Sequence, residues 1–358
     1  MIHFHPLVIK DVRQETDDCV SLAFDIPDEL KEKFVFSQGQ SLTMRTKLNG
    51  QEIRRTYSLC SSPLDNEWRV AVRKVDGGLF STFANESLKK GDVIEVLPPV
   101  GKFFTPLHPD HQKNYVAIAA GSGITPILSI IKTTLRSEPL STFTLFYGNR
   151  TRASIIFKEE LDGLKNKFMD RFTLHHILSR EQPDAPVYYG RIDEVKCDIL
   201  FTRLIDINKV DEFFICGPEQ MIFCVRDFLE KKGISKNHIH FELFTIPGEK
   251  SSVATPKPVR KDEGPKSSIS VKLDGVMFDF ELGSKGQSIL DAALSQGADL
   301  PYACKGGVCC TCRAKLVEGK VEMEVNYGLE EDEIRQGFIL TCQSRPQTPR
   351  VVVDFDVR

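Results

Sequence analysis

Neither charge dominates this sequence: 47 Lys and Arg stand against 50 Asp and Glu, a formal net charge of −3 over 358 residues. Without a basic excess the chain has no global field for a phosphate backbone or an anionic membrane surface, which excludes non-specific binding to either as its main activity. No apolar run approaches the roughly 18 residues that span a bilayer. The first residues, Met1-Ile-His-Phe-His-Pro, lack the positive start and apolar core of a secretory leader. The expectation is a cytoplasmic protein, in which clustered thiols serve as metal ligands or catalytic groups more often than as disulfides. No repeat of solenoid period is present. Apolar residues at 41% and charged residues at 27% exclude a largely disordered or fibrous chain. The length implies two or three globular domains at ~150 residues each.

Cysteine placement is uneven. Of 10 cysteines, Cys304, Cys309, Cys310, Cys312 and Cys342 fall within the last 55 residues, and the other five are scattered.

The hydrophobic rhythm changes twice along the chain. Residues 1–106 alternate short β-rich runs, such as Ser41-Leu-Thr-Met and Trp68-Arg-Val-Ala-Val, with turn signals at Asn49-Gly50 and Asp76-Gly77-Gly78. That pattern predicts an antiparallel β-barrel or sandwich. Residues 107–246 carry buried-strand runs beginning at Tyr115, Thr142, Arg171 and Glu212, three of them followed by helical stretches from Pro126, Ile156 and Glu219. Alternation of this kind predicts a doubly wound α/β sheet. Residues 247–267 hold four prolines and no aromatic side chain, the composition of a linker. Residues 268–358 form a separate α+β unit with 10 basic and 14 acidic residues, a net −4, which leaves +1 for the rest.

Within that last unit, Cys304-Lys-Gly-Gly-Val-Cys309-Cys310-Thr-Cys312 has the spacing C-x4-C-x2-C, and Cys342 follows after 29 residues. Four thiolates so spaced hold a plant-type [2Fe-2S] cluster, two on each iron. Gly306 and Gly307 suit a loop that brings backbone N–H groups to the sulfurs. Cys310 falls outside the ligand spacing and is read as a packed residue. The alternative, structural zinc, normally uses two short C-x2-C pairs, where this chain has a triple and a distant fourth.

Two further sets of residues carry chemistry. Arg55-Thr56-Tyr57-Ser58 is followed by Arg73 and by Gly77-Gly78 ahead of Ser81, a turn that opens a helix whose N–H groups can face an anion. Gly121-Ser122-Gly123-Ile124-Thr125-Pro126 follows a strand and opens a helix, as a dinucleotide turn does, though it is not a full G-x-G-x-x-G. Cys216-Gly217-Pro218 ends a later strand, and Ser179-Arg180 and Arg150 supply hydroxyl and guanidinium groups suited to a 2′-phosphate, where an NAD site would favour an acid.

Taken together these motifs resemble the ferredoxin-NADP reductase family, here with a C-terminal plant-type ferredoxin that is β-grasp-like. The resemblance implies FAD, with Arg55 at its phosphates, Tyr57 against its ring and ribityl chain, Ser58 near N5, and Arg73, Gly78 and Ser81 in the same site. It implies NADPH bound by Gly121, Gly123, Thr125, Arg150, Ser179, Arg180, Gly217 and Pro218, with Cys216 near the nicotinamide. It implies catalytic roles for Ser58, Cys216 and Glu242, an aromatic flavin neighbour in Phe244, and cluster ligation by Cys304, Cys309, Cys312 and Cys342. The order of domains is that of oxygenase reductases, so the implied partner is a di-iron oxygenase, with a Rieske-type or other oxygenase as the alternative. The acidic run Glu330-Glu331-Asp332-Glu333 is a candidate docking face or a solvated one.

Overall fold

Three main sheets carry the chain, each written in a different hydrophobic pattern. The computed structural model describes residues 3–245 and 263–357. The first unit contains β1 (His5–Thr16), β2 (Cys19–Asp25), β3 (Ser41–Leu48), β4 (Gln51–Ser58), β5 (Trp68–Arg73), α1 (Leu79–Glu86) and β6 (Val93–Val96). The strands pair antiparallel in the order β4-β3-β6-β1-β2-β5. A bridge between Leu59 and Val70 and a 2.8 Å bond from Cys60 N–H to the Arg69 carbonyl join the two ends into a barrel. Asn49 and Gly50 both take positive φ and close the β3–β4 hairpin, as the Asn-Gly signal requires. Alternate residues of the strands, among them Leu7, Ile9, Leu42, Met44 and Val72, fill the interior.

The second unit contains β7 (Asn114–Ala120), α2 (Ile124–Ser137), β8 (Thr142–Asn149), α3 (Lys158–Lys167), β9 (Phe172–Leu178), α4 (Glu194–Arg203), β10 (Glu212–Cys216), α5 (Glu219–Lys231) and β11 (Ile239–Glu242). All its strands are parallel, in the order β11-β10-β7-β8-β9. The order reverses between β7 and β10, and α/β sheets bind ligands at such a switch point, beyond the strands' C-terminal ends. The turns at Gly121–Gly123 and Cys216–Pro218 both lie there.

The third unit contains β12 (Lys266–Leu273), β13 (Val276–Gly283), α6 (Ile289–Ser295), β14 (Arg313–Glu318), β15 (Val321–Met323), α7 (Glu331–Arg335), β16 (Phe338–Leu340), β17 (Ser344–Pro346) and β18 (Arg350–Asp354). Its mixed sheet runs β13-β12-β18-β14-β16, and β12 with β18 is its parallel pair. The cysteine loop spans the gap between α6 and β14.

Several expectations need adjustment. Residues 247–262 of the expected linker lie outside the described residues. Its last two, Lys266 and Ser267, belong to β12, where they pair with Gly283 and Leu282. The helix expected from Ile156 begins at Lys158, because Ile155 and Ile156 sit in the core and Phe157 takes φ 59° ahead of it. Helix α4, capped by the Asp193 carboxylate on the Lys196 N–H, buries Lys196, Cys197, Leu200 and Phe201 along one face.

An apolar seam joins the first two units. Phe103 packs edge-on against Phe214 at 5.6 Å, and Phe214 stacks on Tyr115 and His240. Polar contacts extend the seam: Ser129 Oγ donates to the Ser61 carbonyl at 2.6 Å, and Lys132 pairs with both Asp65 and Glu160 at 2.6 Å. Phe214 is fully buried, so Phe214→Ala should destabilise the protein by about 3–5 kcal/mol in chemical denaturation. Barrel and parallel sheet should then unfold in separate transitions; a single transition of wild-type midpoint would contradict the assigned packing.

Candidate electron-transfer site

The four expected cluster ligands come together in two pairs. Cys304 and Cys309 lie with sulfurs 3.2 Å apart, and the thiols of Cys312 and Cys342 hydrogen-bond to each other. Among the described residues no three His, Cys, Asp or Glu side chains converge on one metal position. Two adjacent thiol pairs fit a two-iron cluster, which takes two thiolates per iron. The loop supplies donors: Gly306 N–H points at Cys304 Sγ at 3.3 Å, and Gln343 Nε2 at Cys342 Sγ at 3.6 Å. The Cys304 thiol is drawn down to about 6, chiefly by its bond with Cys309 and then by backbone donors at Gly306, Cys309 and Val308. Gly307 has φ 74°, and a Cβ there would meet the Val325 carbonyl at 2.8 Å, so the loop can close only over glycine.

In the barrel, β4 holds Arg55, Tyr57 and Ser58. Arg55 is exposed and uses one guanidinium nitrogen on the Arg54 carbonyl, which leaves donors for a phosphate. Tyr57 packs on Phe80 of α1 at 5.5 Å. Gly78 caps α1, and a Cβ on it would strike Ser81 Oγ at 2.5 Å. The Ser81 hydroxyl itself is engaged within the turn, with Val75 N–H and the Gly78 carbonyl. What α1 can offer an anion is therefore its first backbone N–H groups. Arg73 pairs with Asp18 at 2.8 Å, and its guanidinium also lies beside Gly121, so it joins the barrel to the nucleotide turn.

At the switch point a Cβ on Gly123 would lie 2.2 Å from the Cys216 carbonyl oxygen, so β7 and β10 can present their turns side by side only with glycine there. Thr125 Oγ1 donates to the Ser122 carbonyl, and Tyr147 OH donates to the Gly121 carbonyl. Pro218 caps α5. Arg180 N–H donates to the Arg150 carbonyl at 2.9 Å and Ser179 N–H to that of Asn149 at 3.0 Å, which brings these residues to one edge. Among the described residues the buried amide nitrogen of Asn149 has no partner of good hydrogen-bond geometry, and a nucleotide oxygen would satisfy it.

Barrel and sheet meet where Ser58 Oγ donates to Glu242 Oε2 at 2.8 Å. Burial pushes the Glu242 carboxyl up to about 7 against that bond. Cys216, fully buried, feels the same carboxylate, its thiol raised first by burial. So does Cys310, pushed up to about 12 mainly by burial, with Glu333 and Glu242 adding to the effect. Cys310 is held protonated by that burial, in keeping with its reading as a packed residue outside the ligand spacing. Phe244 is 42% exposed, and Leu243 turns inward in its place. Glu333 departs from the solvated reading of its acidic run: it is 1% exposed and pairs with Arg313 and, at 3.2 Å, with Lys102 of the barrel.

Flavin-type barrel, nucleotide-type sheet and paired thiols on one seam are the parts of an electron-transfer reductase. Comparison with known proteins agrees along the chain: the oxidoreductase FAD-binding domain family matches residues 6–105, the oxidoreductase NAD-binding domain family 117–227, and the 2Fe-2S iron-sulfur cluster binding domain family 271–347. The chain is 46% identical to a subunit of 1,2-phenylacetyl-CoA epoxidase from Escherichia coli (strain K12), over all of this chain and 99% of that one. It is 34% identical to the ferredoxin reductase component of 3-ketosteroid-9-alpha-monooxygenase from Rhodococcus rhodochrous, over 98% and 96%. The solved structure of phthalate dioxygenase reductase aligns with a TM-score of 0.57 and 25% identity, over 98% of each chain. This protein belongs to the family of FAD-, NAD- and [2Fe-2S]-binding reductase components of multicomponent oxygenases.

The ligand set is testable directly. Cys312→Ser should abolish the cluster, while Cys310→Ser should keep about two irons per chain and the [2Fe-2S] electron paramagnetic resonance signal. Iron loss in Cys310→Ser would overturn the assignment.

Proposed function

We propose that this chain oxidises NADPH and passes electrons singly to the di-iron subunits of a phenylacetyl-CoA 1,2-epoxidase in the cytoplasm, as the reductase of aerobic phenylacetate degradation. The observation that carries the choice of acceptor is the 46% identity with the Escherichia coli epoxidase component, spread over the whole length. A second reading, delivery to a Rieske-type or other oxygenase, draws on the 34% identity with the ketosteroid monooxygenase component. A cytoplasmic site fits ten cysteines that are all free thiols. Among the described residues no helix is long and apolar enough to cross a membrane.

NADPH is favoured over NADH by the charges around the nucleotide edge. The nearby acid, Glu181, is held by Arg152 through its backbone N–H at 2.8 Å and its guanidinium at 3.3 Å. Arg150 and Arg180 are exposed, and neither has a carboxylate partner among the described residues. Together with Ser179 they suit a dianionic 2′-phosphate. Gly121, Gly123 and Thr125 at the head of α2, and Gly217 and Pro218 at that of α5, would border the dinucleotide.

When bound, nicotinamide, flavin and cluster supply respectively a two-electron donor, a two-to-one-electron converter and a one-electron carrier, plant-type clusters having potentials near about −400 mV. The chain's residues set alignment and protons. Arg55 and the N-terminus of α1 would hold the flavin phosphates, with Arg73 and Ser81 fixing the surrounding turns. Tyr57 lines the ring site, and Phe244 lies at its rim. Cys216 closes the nicotinamide side, and Glu242 takes a proton through Ser58 Oγ. Because its carboxyl is raised to about 7, Glu242 retains a proton below that pH and can accept one above it.

Electron delivery to the cluster should therefore rise with pH through about 7, and Glu242→Gln should flatten the profile and lower the rate about tenfold, in the usual range for a positioned acid-base group. Stopped-flow bleaching of the cluster measures both; an unchanged profile in the variant would remove Glu242 from the proton path. Arg180→Ala should raise KM for NADPH about tenfold with little effect on that for NADH, the magnitude of one charge-assisted contact. Reconstitution tests the acceptor: the protein should support epoxidation of phenylacetyl-CoA by the epoxidase subunits, and failure there alongside activity with a Rieske oxygenase would favour the second reading.

A further inference from the structure

The ferredoxin unit sits on the barrel through one residue above all. Arg54 of β4 is 6% exposed, and its donors are divided between two units: Nε to Glu52 at 2.8 Å within the barrel, Nη1 to the Leu300 carbonyl at 3.1 Å, and Nη2 to Asp299 at 2.9 Å. Its guanidinium also lies 4.0 Å over the ring of Tyr302. Arg45 adds a second, longer contact to Asp299 at 3.4 Å. Around this point Thr43 and Thr311 hydroxyls meet at 3.2 Å, Val308 packs against the core of the nicotinamide unit, and Tyr327 lies against Phe223. Residues 302, 308 and 311 flank or belong to the loop of Cys304, Cys309 and Cys312. The face nearest the cluster is therefore the face that is covered.

A carboxylate, a backbone carbonyl and an aromatic ring arranged together form a receptacle for a guanidinium: bidentate acceptors in plane and a π face above. The charges across the seam follow that polarity, Asp299 and Glu333 on the ferredoxin side against Arg45, Arg54 and Lys102 on the barrel. The ferredoxin unit's net −4 makes a cationic partner the complementary one. An electron that enters the cluster through this face must still leave for another protein. The same short path serves only if the face is freed.

We propose that the Asp299–Leu300–Tyr302 face is one arginine receptacle used in turn by Arg54 of this chain and by an arginine-bearing cationic face of the acceptor protein, so that internal docking and electron delivery exclude each other. Each docking carries one electron, and a nicotinamide's pair therefore requires two cycles of undocking. The inference rests on the cluster assignment above, and the experiment separates the two.

Holoprotein with verified iron content is photoreduced without oxygen and mixed in a stopped-flow instrument with cytochrome c, a cationic one-electron acceptor protein. Arg54→Ala frees the face without altering it. It should slow reduction of the cluster by NADPH about tenfold, yet speed transfer from the pre-reduced cluster to cytochrome c about threefold, the scale of one lost charge-assisted contact. Asp299→Arg alters the shared face and should slow both steps. Arg54→Lys, which keeps the charge and loses the planar fork, should move both rates in the direction of Arg54→Ala by a smaller amount, and it is the variant to measure if Arg54→Ala does not fold. Delivery to cytochrome c that is unchanged or slower in the Arg54 variants would overturn the proposal and place the exit on another face, such as that of Lys305. Absence of iron in the wild-type protein would instead overturn the cluster assignment.

Discussion

The pleat of β4 is the constraint on which the assembled site depends. Successive side chains of a strand point to opposite faces, and Arg54, Thr56 and Ser58 therefore share one face while Arg55 and Tyr57 share the other. On the first face Arg54 reaches Asp299, Thr56 bonds Thr43, whose hydroxyl meets Thr311, and Ser58 reaches Glu242. On the second, Tyr57 packs on Phe80, and the exposed Arg55, with one nitrogen on the Arg54 carbonyl, keeps further donors for an anion. One strand thus gathers the ferredoxin and nicotinamide units on one side and shapes the flavin site on the other. A register slip of one residue would exchange every one of these contacts, which is why the Asn49-Gly50 hairpin and the full β3–β4 ladder matter to chemistry some distance away.

Parts of this arrangement are legible in the sequence because they are local. The cluster loop, the Arg-x-Tyr-Ser strand, the Gly-Ser-Gly turn and the Cys-Gly-Pro turn each fall within a dozen residues, and each demands special residue types. Strand β1 escapes a sequence reading although it is long: bulges after Ile9 and Gln14 shift its period, and the charged residues from Lys10 to Glu15 mask what alternation remains. Strand β11 hides for another reason, since four residues give no period at all. By local pattern Arg54 is only a neighbour of the flavin motif and Glu333 a solvated acid. Arg54 meets Asp299, 245 residues away, and Glu333 meets Lys102, 231 residues away, separations that no local pattern records.

Glu242 shows how a fold converts an ordinary side chain into a functional one. The carboxyl ends a four-residue strand and has, among the described residues, a single side-chain donor, Ser58, where a solvated or salt-bridged carboxylate would have several. Desolvation outweighs one neutral hydrogen bond, and the group is left poised near neutrality. The thiols of Cys216 and Cys310 are held protonated by burial, so they add no charge that would drive it further. The isolation of the carboxyl follows from the same closure that brings barrel, sheet and cluster loop together.

The two seams of the molecule differ in kind, and the difference bears on how it works. Barrel and nicotinamide sheet are joined by the buried Phe103–Phe214 contact and by the α2 bonds to Ser61, Ser62 and Asp65. Burying an aromatic pair of this kind stabilises by several kcal/mol and does not weaken with salt. The ferredoxin seam combines the buried Arg54 guanidinium, whose carboxylate partner Asp299 is 68% exposed, with a buried hydroxyl pair, the half-exposed Lys102 on the buried Glu333, and the Val308 and Tyr327 contacts. Its charged contacts reach solvent on one side, through Asp299 and Lys102, and are screened by ions there. Flavin and nicotinamide sites, which must hold two rings in register, are thus built on a fixed body. The one-electron carrier is attached largely through polar and charged groups, the kind of contact that charges on another protein can match.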